Sequence, residues 1–313
     1  MTRGLSLEEI MLRVSSPGMR SVSPSRVCMF VVVVLLILSV CLPAGGSELS
    51  VMSFNIRYGT ANDGANRWEH RREMVCELIE KYDCDVVGLQ EALRFQIDAI
   101  RAAIPEYAEI GVGRDDGKTR GEYSAILYRA DRLSVAAADT FWLSDTPEVV
   151  ASKSWGNNIT RICTWARFVQ KGTGKAFYHF NTHLDHQSQP AREKSVVLID
   201  RRIARREHAD PVVLTGDFNA DEFNPAIRFV KGSQEASAKP SVPLVDTFRV
   251  LHPEATEVGT FNSFKGDRSR GKIDYVFAQP GVEVLEAKII FDTPGGRCPS
   301  DHFPVMARLE LPD

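Results

Sequence analysis

The sequence predicts an α/β protein, and three observations carry that prediction. Short apolar blocks of strand length alternate with segments whose apolar residues recur at helical spacing. Several of the apolar blocks end abruptly in a small cluster of polar residues. No Pro- or Gly-rich linker divides the chain beyond residue 48, so one domain is expected over 48–313.

Taken in order, Trp68, Met74, Val75, Leu78, Ile79 and Tyr82 keep helical spacing, and the pattern then switches to the apolar block Val86-Val87-Gly88-Leu89. This reads as a helix followed by a buried strand. Leu93, Ile97, Ile100 and Ile104 mark a second helix that Pro105 ends. Strands are expected from Tyr123 to Arg129, Ile159 to Gln170, Phe177 to Leu184, Pro211 to Phe218, Gly271 to Gln279, Val282 to Ile290 and Phe303 to Leu311. A basic helix from about Pro190 to His208 separates two of them.

Composition narrows the function. With 43% hydrophobic and 25% charged residues among 313, the chain can bury a large core and carry a short appendage. A net charge of -3 and a pI near 6.2 argue against a surface that traps polyanions as a whole, which needs many Lys/Arg to phosphate contacts. A local basic patch stays open. The appendage is residues 1–47, where Arg13, Arg20 and Arg26 precede an apolar run from Val27 to Leu42 and then Pro43-Ala44-Gly45-Gly46-Ser47. That order reads as a secretory signal. The run is shorter than the roughly 20 residues a helix needs to span a bilayer, which disfavours a membrane anchor. Leu38-Ser39-Val40-Cys41 loosely resembles a lipobox, although Val40 stands where a small residue is usual. Export is expected, to a periplasmic, extracellular or membrane-anchored location. Cys76, Cys84, Cys163 and Cys298 match no zinc or redox spacing and are assigned no disulfide.

The apolar run Val213-Leu214-Thr215 leads into Gly216-Asp217-Phe218-Asn219. Side chains two apart on an extended chain share a face, so Asp217 and Asn219 can converge on one bound group, the acid taking a proton and the amide donating a hydrogen bond. An Asx-turn closing the strand is the bland alternative for Asn219. Comparable clusters occur at Ser53-Phe54-Asn55-Ile56-Arg57, Gly88-Leu89-Gln90-Glu91, Asn181-Thr182-His183-Leu184-Asp185, Lys272-Ile273-Asp274-Tyr275 and Ser300-Asp301-His302-Phe303-Pro304.

Those six clusters in that order resemble the endonuclease/exonuclease/phosphatase superfamily, over roughly Leu49 to Leu311. The superfamily includes deoxyribonuclease I, exonuclease III, inositol polyphosphate 5-phosphatases, neutral sphingomyelinases and nocturnin-like deadenylases. The resemblance implies a four-layer α/β sandwich, two packed mixed sheets flanked by helices, with the site in loops at one end. It also implies a hydrolase of phosphate esters that uses Mg2+ or Mn2+. A carboxylate at the end of an apolar strand, as Glu91 is, must be solvated, paired or metal-bound, and the resemblance supplies the last option. Hard divalent ions take oxygen ligands and need only one or two protein carboxylates. Glu91 is then the principal ligand, Asp301 a second, and Asn55 a neighbour that orients Glu91 or touches the metal.

By the same resemblance Asp217 orients and deprotonates the attacking water and Asn219 donates to a nonbridging phosphate oxygen. His302 serves the scissile phosphate, with Asp274 on a separate strand accepting its ring proton, and His183 makes a second phosphate contact. The general base stays open between Asp217 and the Asp274/His302 pair. Tyr123, in Gly121-Glu122-Tyr123-Ser124-Ala125, loosely resembles the tyrosine of abasic-site endonucleases that sits by the phosphate, and a packed strand aromatic is the alternative. Arg161 is a candidate to grip a phosphate bidentately, with a surface ion pair as its alternative. The segments Lys153 to Arg161, Asn66 to Glu69 and Gly259 to Phe264 are expected at the rim of the cleft.

The expected substrate is a small or lipid-borne phosphate ester. The alternative is a nuclease, endonuclease or 3'-exonuclease, with the same site and a nucleic-acid partner. A third reading is a noncatalytic phosphate-binding module. Membrane association would run through the N-terminal segment, and a monomer is expected. The basic helix, with Arg192, Lys194, Arg201, Arg202, Arg205 and Arg206, reads first as a solvated face with i,i+4 pairs and second as a nucleic-acid stripe.

Overall fold

Two six-stranded sheets lie face to face in the computed structural model, which describes residues 47–313 apart from 234 and 237. Except for Ser47, the expected leader over 1–47, with its apolar run and Cys41, lies outside the described residues. Among the described residues no helix is long and apolar enough to cross a membrane.

The first sheet contains β1 (Glu48–Asn55), β2 (Val86–Gln90), β3 (Tyr107–Ile110) and β4 (Ile126–Arg129), together with β11 (Glu283–Ile289) and β12 (Val305–Glu310), in the order β11-β12-β1-β2-β4-β3. The second contains β5 (Leu133–Trp142), β6 (Ile162–Gln170), β7 (Ala176–His183), β8 (Val212–Asp217), β9 (Val245–Asp246) and β10 (Asp274–Ala278), in the order β5-β6-β7-β8-β10-β9. Each sheet is mixed: β1 runs parallel to β2 and β7 parallel to β8, and the other pairings are antiparallel. Parallel neighbours need a crossover, and each pair has one that carries a helix.

Helices α1 (Arg72–Tyr82) and α2 (Arg94–Ala103) cover the outer face of the first sheet, where Val75, Ile79, Ile97 and Ile100 join Phe54 and Leu89 in one apolar cluster. Helices α3 (Gln189–Ala204) and α4 (Pro225–Val230) cover the second, through Val196, Ile199, Ile203 and Ile227 on Tyr178, Leu214 and Phe277. Val51, Val86, Phe168, Phe177, Val213 and Val276 fill the space between the sheets. Central strands β2 and β8 are buried at every position because both their faces are covered, which is why their sequences read as continuous apolar runs. This is the four-layer sandwich that the family resemblance implied. The chain from Ser47 onward is one compact unit.

Helix starts follow local chemistry. The Ser188 hydroxyl accepts from the Ala191 N–H ahead of α3, Asn224 does the same for α4 through Ala226, and a proline occupies the first turn of each. α1 ends at Asp83 in the left-handed conformation. Strand β5 has no counterpart in the sequence reading, because Ser134 to Asp139 are exposed and alanine-rich and show no alternation. The strand expected from Tyr123 begins at Ile126, Tyr123 making only an isolated bridge to Ala92. The basic helix stops at Ala204 rather than His208. All four described cysteines are free and buried.

A buried polar contact crosses between the sheets. The Asn181 amide on β7 donates to the carbonyls of Leu89 and Ala125 at 2.9 Å each, and its oxygen accepts from Gln90 Nε2 at 2.7 Å and Thr215 Oγ1 at 3.0 Å. The approach is close enough that a Cβ on Gly88 would meet Thr215 Oγ1 at 2.4 Å and Asn181 Oδ1 at 2.5 Å. Gly88→Ala is expected to destabilise the protein by about 1–3 kcal/mol through overpacking, read from chemical denaturation midpoints. An unchanged midpoint would show that the sheets can part locally.

Candidate active site

The carboxyl ends of β1, β2, β7 and β8 meet at one edge of the sandwich, and the ladder registers say which side chains arrive together. Asn55 pairs with Gln90, His183 with Asp217, and Asp217 with Asp274. Open α/β sheets place ligands at the carboxyl ends of their strands for this reason.

Asp217 is the centre of the cluster. Its Oδ2 accepts from Asn55 Nδ2 at 2.9 Å and its Oδ1 from the Asn219 N–H at 2.9 Å. The same Oδ2 stands 3.5 Å from His183 Nε2 and 3.8 Å from His302 Nε2. Burial and the negative charge of Asp274 push Asp217 up to about 7, against the opposing pull of His302 and its amide donors. Asp274 Oδ2 lies 2.9 Å from His302 Nδ1, which fixes the ring and leaves Nε2 facing Asp217. Burial alone would lower His302, but the charges of Asp274 and Asp217 outweigh it and hold the imidazole well above its usual range.

The backbone around this pair is tied down. Thr260 Oγ1 accepts from the N–H groups of Ile273 and Asp274, and Phe261 bridges to His302 with the two rings 5.1 Å apart. Asn262 and Ser263 donate backbone N–H groups to the Asp301 carbonyl. The segment Gly259 to Phe264 therefore lines the site, as expected.

Glu91 follows β2 directly and adopts a positive φ of 59°, which turns its carboxylate over the strand end. Its Oε1 accepts from Asn55 Nδ2 at 3.1 Å and its Oε2 from the Tyr58 N–H at 2.8 Å. One Asn55 amide group thus orients both Glu91 and Asp217, while Ser300 Oγ donates to the Asn55 carbonyl at 2.7 Å. Asp301 is buried near Glu91, whose charge helps burial to raise it, and its Oδ2 lies 3.5 Å from Arg57, which Asp63 holds bidentately. Buried Arg71 caps the carbonyls of Ile56, Arg57, Asn66 and Pro299, so the segment Asn66 to Glu69 serves packing around Arg71.

His183 is in the opposite electrostatic state to His302. Burial, reinforced by Arg161 and Arg114, drives it well below its usual value. Its Nε2 faces Asn219 Nδ2 at 3.0 Å, and its Nδ1 points toward Glu122 Oε2 at 3.9 Å. Asn219 itself sits at a φ of 47° and also donates to the Leu184 carbonyl, so its amide is fixed against His183. Arg161 is not a surface residue: it is buried with Nη2 3.2 Å from His186, Nε 3.9 Å from Asp185 and Nη1 4.0 Å from Glu122.

One candidate is placed elsewhere. The Tyr123 hydroxyl donates to the Lys118 carbonyl at 2.8 Å and its ring packs in the core beneath Arg94, so it is committed away from the cluster. Its neighbour Glu122 takes the position instead, paired with Arg114 at 2.6 Å and facing both His183 and Arg161. Sequence reasoning passed over Glu122 because nothing in its spacing points to His183; only the fold brings them together.

The donor chemistry suits a divalent cation. Glu91, His183 and Asp217 each offer a ligand atom within 4.8 Å of the others, as do Asp217, Asp274 and His302. Four carboxylates crowd this edge, and the buried Asp274 Oδ1 has no hydrogen-bond partner among the described groups. Oxygen donors at such density fit a hard ion. Glu91→Gln is expected to weaken divalent-cation binding at least tenfold by isothermal calorimetry, with the circular dichroism spectrum unchanged. Undiminished binding would remove Glu91 as a ligand.

Comparison with known proteins gives the same picture. Residues 52–302 match the model of the Endonuclease/Exonuclease/phosphatase family. An endonuclease/exonuclease/phosphatase from Bacteroides vulgatus is 37% identical, with a TM-score of 0.75 over 84% of this chain and 99% of that one. A mannosyl-6-phosphatase from Bacteroides thetaiotaomicron is 35% identical, also with a TM-score of 0.75, over 83% of this chain and 99% of its own. Nocturnin of Drosophila melanogaster is 28% identical over 86% of this chain and 48% of its own length.

Proposed function

The chain belongs to the endonuclease/exonuclease/phosphatase family, and from that premise we propose that it hydrolyses a small or lipid-borne phosphate ester with Mg2+ or Mn2+ as cofactor. The observation that carries the reading is the Asp274 to His302 pair set 3.8 Å from an Asp217 carboxylate that Asn55 also ties to Glu91. The similarity to a mannosyl-6-phosphatase along nearly its whole length supports a phosphomonoester on a small polar body. Export is proposed from the N-terminal sequence alone.

Glu91 would hold the cation, with Asp301 beside it and Asn55 orienting Glu91. When bound, the ion supplies Lewis-acid polarisation of the phosphate and stabilisation of the leaving oxygen. Asp217, oriented by Asn55 and the Asn219 N–H, takes a proton from water as the water oxygen bonds to phosphorus. The ester P–O bond breaks on the opposite side. The acids around His302 favour its protonated form, in which it donates through Nε2 to the phosphoryl group or the departing oxygen. Asp274 keeps that imidazole in place. The Asn219 amide spends its two hydrogens on His183 Nε2 and the Leu184 carbonyl, so it positions His183 rather than donating to a nonbridging oxygen, and Arg161 adds positive charge beside that ring.

The nuclease reading keeps one specific support, the likeness to Nocturnin, which spans about half of that protein. Turnover of mannose 6-phosphate, a phosphoinositide, sphingomyelin and an oligonucleotide, each in Mg2+ and in Mn2+, decides between them. Sugar or lipid phosphates are expected to be hydrolysed fastest, and His302→Ala to lose on the order of 10²–10³ or more in rate. An oligonucleotide turned over fastest would establish the nuclease. Phosphate binding with no turnover of any of the four would leave only a binding module.

A further inference from the structure

The outer face of the second sheet is only partly covered. Helix α3 lies over β7 and β8, while the edge strand β5 presents Ala136 and Ala137 at a bulge, side chains too small to fill the space beside the helix. A groove of about 910 Å³ results, a volume typical of ligand sites, and no residue of the catalytic cluster lines it. Its floor is Trp165 with Val197 and Leu198 of α3.

The basic residues that line this groove, from α3, the turn after it and β6, divide into two sets. Arg202 pairs with Glu148, Arg167 with Asp210 at 2.6 Å, and Arg206 donates to the carbonyls of Ile203 and Asp210. Lys194, Arg201 and Arg205 are exposed and make no ion pair among the described residues. Arg201 lies in the last turn of α3 and Arg205 is its C-cap, so the two positive charges gather at the carboxyl end of the helix. Asp145, Glu148 and Glu207 also line the groove, but six basic residues outnumber them, and the arrangement complements an anion lying beside Lys194, Arg201 and Arg205.

The floor selects what that anion is attached to. Tyr178 and Phe180 are 2% exposed, and Lys194 rides over the Trp155 ring at 5.8 Å, so successive bases would find no row of free ring faces. The remaining surface is aliphatic and indole, suited to a hydrocarbon chain. We infer that this groove binds an anionic phospholipid, its acyl chain against Val197, Leu198 and Trp165 and its phosphate against Lys194, Arg201 and Arg205. The site is separate from the hydrolytic one and does not depend on it.

Monomeric dihexanoylphosphatidylglycerol, titrated into the full chain while the tryptophan fluorescence, to which Trp155 and Trp165 contribute two of four indoles, is followed, tests this directly, with dihexanoylphosphatidylcholine as the neutral-headgroup control. Saturable binding of the anionic lipid is expected, weakened at least about tenfold in Arg201→Glu/Arg205→Glu, since each basic residue contributes to attraction toward anionic lipid. Leu198→Asp is expected to weaken it as well, through the floor. Both variants should turn over p-nitrophenyl phosphate as the parent does, whatever that rate is. The inference fails if binding is not saturable, if phosphatidylcholine binds equally, or if the double variant binds as the parent. Tighter binding of oligothymidylate would overturn it in favour of a nucleic-acid groove, and lost turnover in the variants would overturn the separation of the two sites.

Discussion

Asp217 and Asp274 stand opposite each other on neighbouring strands, each about 1% exposed, and two buried carboxylates in one ladder position repel. The structure tolerates them because His302 lies against both, 2.9 Å from Asp274 and 3.8 Å from Asp217. Much of the surrounding detail follows from that need. Asn55 and the Asn219 N–H each donate to Asp217, Thr260 tethers the backbone of Asp274, and Phe261 packs its ring on His302. A charged triad of this kind is stable only when each member's neighbours are fixed, and here those neighbours come from strand β1 and two loops.

The same constraint separates the two imidazoles. His302 is bracketed by acids that raise it well above its usual range, whereas His183, 3.5 Å from Asp217, is driven well below it by burial, with Arg161 and Arg114 adding to the effect. Burial lowers both; for His302 the charges of Asp274 and Asp217 and the hydrogen bond to Asp274 outweigh it, and for His183 the charges of Arg161 and Arg114 add to it. One site thus holds a proton donor and a neutral nitrogen on either side of one carboxylate. Glu122, between Arg114, Arg161 and His183, belongs to the second half of this arrangement and balances its positive charge.

The rigidity needed to hold such a cluster comes from the polar layer just behind it. Asn181 uses both amide hydrogens on carbonyls of the first sheet and its oxygen on Gln90 and Thr215, so the strand that ends in Glu91 is hydrogen-bonded to the strand that ends in His183. The Asn181 side chain has all its polar atoms paired, while Gln90 Oε1 is left without a partner, and such directional bonds fix the alignment of the sheets where an apolar layer would let them slide. The opposite end of the second sheet is treated differently: β5 is bulged and small-chained, and the groove beside α3 remains open.

The sequence by itself determined the α/β class, the central strands and the identity of most of the polar residues at their ends. It could do so because buried strands leave uninterrupted apolar runs and because Asn55, Glu91, His183, Asp217, Asn219, Asp274 and His302 each sit at the end of one. Edge strand β5 was illegible, since an exposed, alanine-rich strand has no apolar alternation to reveal it. What only the tertiary structure decided was which neighbours share a site: Tyr123 turns into the core while adjacent Glu122 meets His183, and Arg161 is buried beside both. Side chains one apart on an extended chain point to opposite faces, so the choice between Glu122 and Tyr123 depends on which face the sandwich turns toward the cluster. The division of the groove's basic residues into a paired set and an unpaired row likewise depends on Glu148 and Asp210, which meet Arg202 and Arg167 only through the fold.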